Sequence, residues 1–170
     1  MYEIGYLLFD RRNPHSVEAL CRIVTEDTQG ARRFAAEALG RIGSPKAVKS
    51  ILQAIETSSD DYLDHALCYA LIDIGEPGET LKGLASRSAQ AKRLSLISLD
   101  RMGFKLSIDQ VLPLLDTKDP ALKRAAMEIA ERISRDQRAF GPSMMGFVIK
   151  AAMVDRGIPA YVDTPARELL

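Results

Sequence analysis

Residues 38–43 of the chain read Ala-Leu-Gly-Arg-Ile-Gly, and this pattern of apolar residues with a closing glycine occurs again further along. Residues 70–75 read Ala-Leu-Ile-Asp-Ile-Gly, and residues 98–103 read Ser-Leu-Asp-Arg-Met-Gly. A fourth stretch, Ile-Ala-Glu-Arg-Ile-Ser at 129–134, falls in step, so the closing positions are 32, 28 and 31 residues apart. A recurrence at this spacing predicts short structural units that bury their apolar faces against one another.

Each repeated stretch ends a segment whose apolar residues lie three and four positions apart, which places them on one side of an α-helix. The closing glycine supplies the left-handed conformation that ends a helix. A second helix follows, beginning for example at Ser44-Pro45, a capping residue before a proline at the first helical position. The predicted stripes of the first two units are Phe34, Ala35, Ala38, Leu39 and Ile42, and Ala66, Leu67, Ala70, Leu71 and Ile74.

The chain therefore alternates two helix types, each predicted to be about ten to fourteen residues long, with Asp27, Asp60 and Asp119 as N-caps of the first helices. The predicted fold class is all-α, a right-handed α-solenoid of stacked antiparallel helix pairs. Residues 1–134 would hold about four units, the first of them partial. Residues 135–170 lose the register and would form a segment that either caps the stack or docks onto a partner, the docking alternative using Met144, Met145, Phe147 and Ile149.

Two stretches resemble a known family: Ala-Arg-Arg-Phe-Ala-Ala-Glu-Ala-Leu-Gly-Arg-Ile-Gly-Ser-Pro-Lys-Ala-Val at 31–48, and Asp-Pro-Ala-Leu-Lys-Arg-Ala-Ala at 119–126. They look like HEAT repeats of the short, bacterial, phycobilisome-lyase-like type, and the resemblance extends over about residues 14–134. It implies the fold rather than an activity, because such repeats occur in scaffolds, lyase chaperones and enzymes. These repeats place a basic residue early in the first helix, and the matching positions here are Arg33, Arg93 and Arg124, with His65 in the second unit. The resemblance implies that these side chains form either Arg–Asp contacts or an anion-binding row.

The composition is that of an ordinary globular protein, with 46% apolar and 27% charged residues and equal numbers of acidic and basic side chains. A net charge of zero disfavours nucleic acid and anionic membranes as partners. Met1 is followed by neither a secretory signal nor a membrane span, which predicts a cytoplasmic protein. Cys21 and Cys68 lie on predicted apolar stripes, so we expect both to be core residues.

The sequence contains no recognisable catalytic constellation. His15 and His65 are the only histidines, no cluster has metal-ligand spacing, and no phosphate-binding glycine motif occurs, so we predict no cofactor, no metal and no enzymatic activity. Deoxyhypusine hydroxylases resemble this fold but carry repeated His-Glu pairs for a di-iron centre. Here His15 precedes Ser16 and His65 precedes Ala66, which excludes that enzyme.

We therefore predict a non-catalytic scaffold that binds another protein along a concave groove lined by the second helices, and possible self-association through the apolar ends. The groove candidates are the polar residues pointing away from the apolar stripes: Arg22, Lys46, Lys49, Gln53, Lys82 and Gln110. The resemblance leaves open a bilin lyase subunit or a related chaperone-like assembly factor. A HEAT-like nucleic-acid-binding protein is a weaker alternative, because Trp is absent and the tyrosines are scattered.

Overall fold

The computed structural model describes residues 14–139, which form eight α-helices, two 3₁₀ segments and no strand. The all-α class is confirmed for this part of the chain. The helices are α1 Pro14–Glu26, α2 Gln29–Ile42, α3 Val48–Glu56, α4 Asp61–Ile74, α5 Pro77–Thr80, α6 Ala89–Arg101, α7 Ile108–Leu115 and α8 Pro120–Ala139. One 3₁₀ segment, Pro45–Ala47, leads into α3, and the other, Leu81–Ala85, continues α5.

The closing glycines end their helices as the sequence predicts. Gly43, Gly75 and Gly103 have φ angles of 70°, 69° and 72°, the left-handed region that a Cβ disfavours. The N–H of Gly43 donates to the carbonyl of Leu39 at 3.0 Å. Ser134 was the wrong choice for a fourth closing position, because α8 continues past it to Ala139. The Cβ of serine makes the left-handed conformation unfavourable, and the polar residues after Ser134 are compatible with a helix.

Polar side chains cap the helices that follow the joints. Asp60 accepts from the N–H of Tyr62 at 2.9 Å and Asp119 from the N–H of Leu122 at 2.7 Å, so these two predicted caps are confirmed. Asp27 was one residue off: Thr28 is the N-cap of α2, and its hydroxyl accepts from the N–H of Ala31. The Asp27 carboxylate accepts instead from the N–H of Thr28, which holds the joint in place.

The helices pack in two rows. The first row consists of α2, α4, α6 and α8, each in contact with the next, and α1, α3 and α5 lie beside it in a second row. The sequence pattern predicts pairs formed by the helices before and after each closing glycine. The contacts instead pair helices across the polar joints, α1 with α2, α3 with α4, Leu81–Ala85 with α6, and α7 with α8. The handedness of the stack remains a prediction.

Small residues bring the first-row helices close together. Ala35 and Ala38 of α2 and Ala66 and Ala70 of α4 are all buried, as predicted. At Gly40 an added Cβ would lie 3.1 Å from the Cα of Ala70, which shows how closely α2 approaches α4. Leu39 and Leu71 have no exposed surface and lie in the core that α1 to α4 share.

Phe34 departs from the predicted stripe, because 64% of its surface is exposed. The buried side of α2 contains Leu39, and five helical positions separate Phe34 from Leu39, or about 140° around the helix axis. The neighbours of α2 are α1 and α4, and together they bury the side centred near Leu39. The apolar ring of Phe34 therefore faces away from the core.

The second helices are shorter than predicted: α3 has nine residues, α7 has eight, and α5 has four before it tightens into the 3₁₀ segment Leu81–Ala85. Gly83 in that segment is buried against α6. A Cβ added to Gly83 would overlap the hydroxyl of Ser95 and would lie 2.9 Å from a methyl carbon of Leu52. The close packing of α5 and its 3₁₀ segment onto α6 thus requires a residue without a side chain.

Replacing Gly83 with Ala is expected to lower the free energy of unfolding by about 1–3 kcal/mol, because the added methyl overpacks a filled interface. Chemical denaturation followed by circular dichroism measures the loss. Ser95→Ala provides the control: its hydroxyl is buried without a hydrogen-bond partner among the described residues, so the single change should be neutral or stabilising. The pair G83A and S95A should recover part of the loss, and an unchanged stability in G83A alone would contradict the packing.

Candidate functional site

Three of the predicted groove residues meet around one depression between α3 and the segment Leu81–Ala85. Lys49 and Gln53 of α3 stand on one side and Lys82 on the other, and all three side chains are exposed. The depression has a volume of about 500 Å³. We call it the α3–α5 groove, and its lining residues are Lys49, Leu52, Gln53, Glu56, Glu79, Lys82, Gly83, Ala85, Ser86 and Ala91.

The α3–α5 groove combines an apolar floor with charged edges. Leu52, Gly83 and Ala91 supply apolar surface, of which Gly83 and Ala91 are buried. Lys82 forms an ion pair with Glu79 at 2.7 Å, which neutralises that edge. Within residues 14–139 Lys49 forms no ion pair, so it is the cation that this groove can offer to a ligand.

The other groove candidates lie elsewhere. Arg22 on α1 and Lys46 in the first 3₁₀ segment are exposed but do not line the groove. Gln110 does not line the groove either: its side-chain carbonyl accepts from the N–H of Ser107 at 2.9 Å and completes a capping box at the start of α7. The sequence Ser-Ile-Asp-Gln at 107–110 carries this signal, since a glutamine three residues after a capping serine predicts the box. The predicted docking residues Met144, Met145, Phe147 and Ile149 lie outside the described residues.

A buried arginine is the main feature that the sequence analysis missed. Only 7% of the Arg32 surface is exposed. Its Nε donates to the carbonyl of Val24 at 2.8 Å, and its terminal nitrogen donates to the carbonyl of Ala54 at 2.8 Å and to the hydroxyl of Thr57 at 2.9 Å. Val24 and Ala54 lie in the last turns of α1 and α3, so one cation satisfies carbonyls at two helix C-termini.

The arginines that the repeat resemblance matched do not form an anion-binding row. Arg93 lies 3.6 Å from the buried carboxylate of Asp64 on the preceding first-row helix, which confirms the Arg–Asp alternative at that position. Gln90 donates to the same carboxylate at 2.6 Å. Arg124 is exposed on α8, and the Arg33 guanidinium lies 5.3 Å above the ring of Phe34. The three arginines therefore have three different environments.

Aromatic side chains of α4 lie together beside α2. Phe34, Tyr62 and Tyr69 are the exposed large hydrophobic residues of the described chain, with 64%, 76% and 53% of their surfaces exposed. The ring of His65 lies 4.6 Å from the ring of Tyr69. We call the surface that Tyr62, His65 and Tyr69 form beside Arg33 and Glu37 of α2 the aromatic patch.

A shallow depression of about 330 Å³ lies within the aromatic patch. Its lining residues are Arg33, Glu37, Tyr62, His65, Ala66 and Tyr69. The tyrosines are scattered along the sequence as a whole, but Tyr62, His65 and Tyr69 are three and four residues apart. That spacing places their side chains on one side of a helix and could have revealed the patch.

Both cysteines contribute to packing, and Cys68 is the more buried of the two. Burial raises the pKa of the Cys68 thiol, and a hydrogen bond with Ser98 offsets part of that rise. A thiol whose pKa is raised stays protonated at neutral pH and is a weak nucleophile. The environment of Cys68 is therefore that of a core residue, as the sequence analysis expected.

The described part of the chain also bears on two further classes of site. Among residues 14–139 no group of three or more His, Cys, Asp or Glu side chains is placed to hold a metal ion. None of the helices described there has the length and apolar character needed to cross a membrane.

Four successive first-row helices that pack on one another, the first three of them followed by a left-handed glycine, define a helical repeat protein. Residues 3–72 match a family model of HEAT repeats, which covers less than half of the 170-residue chain and supports a HEAT-repeat protein. The phycobilisome-lyase-like type stays a prediction. No curated protein gives a significant match to the chain.

Proposed function

We propose that the protein is a non-catalytic scaffold that binds another protein through the α3–α5 groove. HEAT repeats commonly act as protein-interaction scaffolds, and residues 3–72 match that family. The observation that carries the proposal is the meeting of Lys49, Gln53 and Lys82 around one depression with an apolar floor. In this proposal the second row of helices forms the concave side of a right-handed solenoid.

The chemistry of the groove favours an extended peptide or a helix with apolar side chains and a carboxylate beside them. Leu52 and Ala85 provide apolar contact, and Lys49 provides a cation that has no ion-pair partner in the described chain. A groove held between packed helices is preformed, so binding does not have to order it. Charged residues at its edge would set the orientation of the partner and speed its association.

Changing Lys49 and Lys82 together to Glu is expected to weaken binding of an acidic partner at least about tenfold, because attraction at the groove edge becomes repulsion. Stability should change by less than about 1 kcal/mol, since both side chains are exposed and the Lys82–Glu79 surface pair contributes little. The partner is first captured on the immobilised full chain and identified by mass spectrometry. Calorimetric titration of the purified partner then compares the variants.

A matched control changes Lys105 and Lys118 to Glu, two exposed lysines outside the groove, which alters the net charge by the same amount. This control should bind like the unmodified chain. Equal binding by all three proteins would remove the groove assignment. The bilin lyase alternative makes a different prediction for the capture step, in which phycobiliproteins would be the recovered partners.

A further inference from the structure

We propose that the aromatic patch is a homodimer interface, occupied by a second copy of this chain. The patch lies on α2 and α4, and no residue of these two helices lines the α3–α5 groove. It contains Tyr62 and Tyr69, two of the three large hydrophobic side chains that remain exposed in the described chain; the third, Phe34, lies beneath the guanidinium of Arg33. Exposed apolar side chains gathered at one place mark an interaction surface, whereas single ones need no explanation.

The charges beside the patch identify the occupant. Arg33 and Glu37 lie four residues apart on α2 and both line the depression, yet neither forms an ion pair with a described residue. A surface that carries one unpaired cation and one unpaired anion a helical turn apart is complementary to itself when a second copy runs antiparallel. A two-fold axis across α2, midway between them, would place Arg33 opposite the partner's Glu37.

The same axis also fits the aromatic side chains. The closing glycines put equivalent positions of α2 and α4 32 residues apart, so Arg33 is level with His65 and Glu37 with Tyr69. An axis midway between Arg33 and Glu37 crosses α4 midway between His65 and Tyr69, which are about 6 Å apart along that helix. It would bring His65 opposite the partner's Tyr69, so that two His65 rings and two Tyr69 rings would cover the apolar surface between two neutral copies.

Analytical ultracentrifugation of the full chain tests the proposal. The unmodified protein is expected to dimerise with concentration. Glu37→Arg and Arg33→Glu should each weaken dimerisation at least tenfold, because each single change places like charges opposite one another. A chain that stays monomeric up to about 0.5 mM would overturn the proposal, because at that concentration only a dimer with a dissociation constant above about 1 mM would escape detection.

Mixing gives a sharper result than either variant alone. E37R carries two cations at the patch and R33E carries two anions, so an equimolar mixture should form a heterodimer although neither variant dimerises by itself. The double variant R33E/E37R should recover the homodimer. The Lys105→Glu and Lys118→Glu protein is the control, and circular dichroism verifies folding of each variant. Dimers that withstand both single changes, or a mixture that stays monomeric, would place self-association elsewhere or nowhere and so refute the interface.

Discussion

Arg32→Met is expected to lower the free energy of unfolding by about 2–4 kcal/mol, because hydrogen bonds to a buried charged group are worth more than neutral ones. The variant loses three hydrogen bonds, to the carbonyls of Val24 and Ala54 and to the hydroxyl of Thr57. The carbonyl of Val24 would remain buried without this donor, which adds a desolvation penalty. Urea denaturation of the full chain measures the difference.

The neighbouring arginine is the matched control for this change. Arg33→Met removes the same side chain from the same helix, but the Arg33 guanidinium lies over the ring of Phe34 and makes no hydrogen bond to described residues. Its loss should cost less than about 1 kcal/mol. Arg32→Lys keeps the charge but not the planar fork that reaches two helix ends, so it should be destabilised as well. Equal losses at positions 32 and 33 would disprove the role of Arg32 as a link between α1 and α3.

Leu71→Ala should destabilise the protein by about 2–4 kcal/mol through the cavity left between packed helices. Leu71 has no exposed surface and lies in the core shared by α1 to α4. The same measurement by urea denaturation applies. A loss below about 1 kcal/mol would mean that the site collapses freely and that α4 is not packed as described.

Tyr69→Ala on the same helix separates burial from side-chain size. The tyrosine loses more atoms than the leucine, but 53% of its surface is exposed. We expect the change to cost less than the Leu71 truncation, because surface substitutions alter stability little. A larger loss at position 69 than at position 71 would reverse the inside and outside of α4.

Local chemistry explains why the helix ends could be predicted. Gly43, Gly75 and Gly103 adopt the left-handed conformation because they lack a Cβ, whichever helices lie nearby. Asp60 and Asp119 cap because their carboxylates reach N–H groups two and three residues along the chain. Ser134 has the repeat spacing but not the conformational freedom of glycine, and α8 therefore continues through it.

The candidate sites depended on contacts that span many residues. Arg32 and Arg33 are adjacent basic residues, and only the helix ends of α1 and α3 meeting over α2 determined which of them is buried. Lys49 and Lys82 lie on the same groove because the 3₁₀ segment Leu81–Ala85 packs closely against α6 and α3. Gly83 permits this close packing because it has no side chain. Gln110, chosen for the same groove, is held at the start of its own helix by a local hydrogen bond.

The sequence by itself determined the all-α class of the described region and the helix ends at Gly43, Gly75, Asp60 and Asp119, because those properties follow from hydrogen bonds and backbone angles within a few positions. The tertiary structure alone decided which side of each helix is covered. A helix in a two-row stack has neighbours on more than one side, and their arrangement buried Leu39 and Arg32 while leaving Phe34, Tyr62 and Tyr69 on the surface.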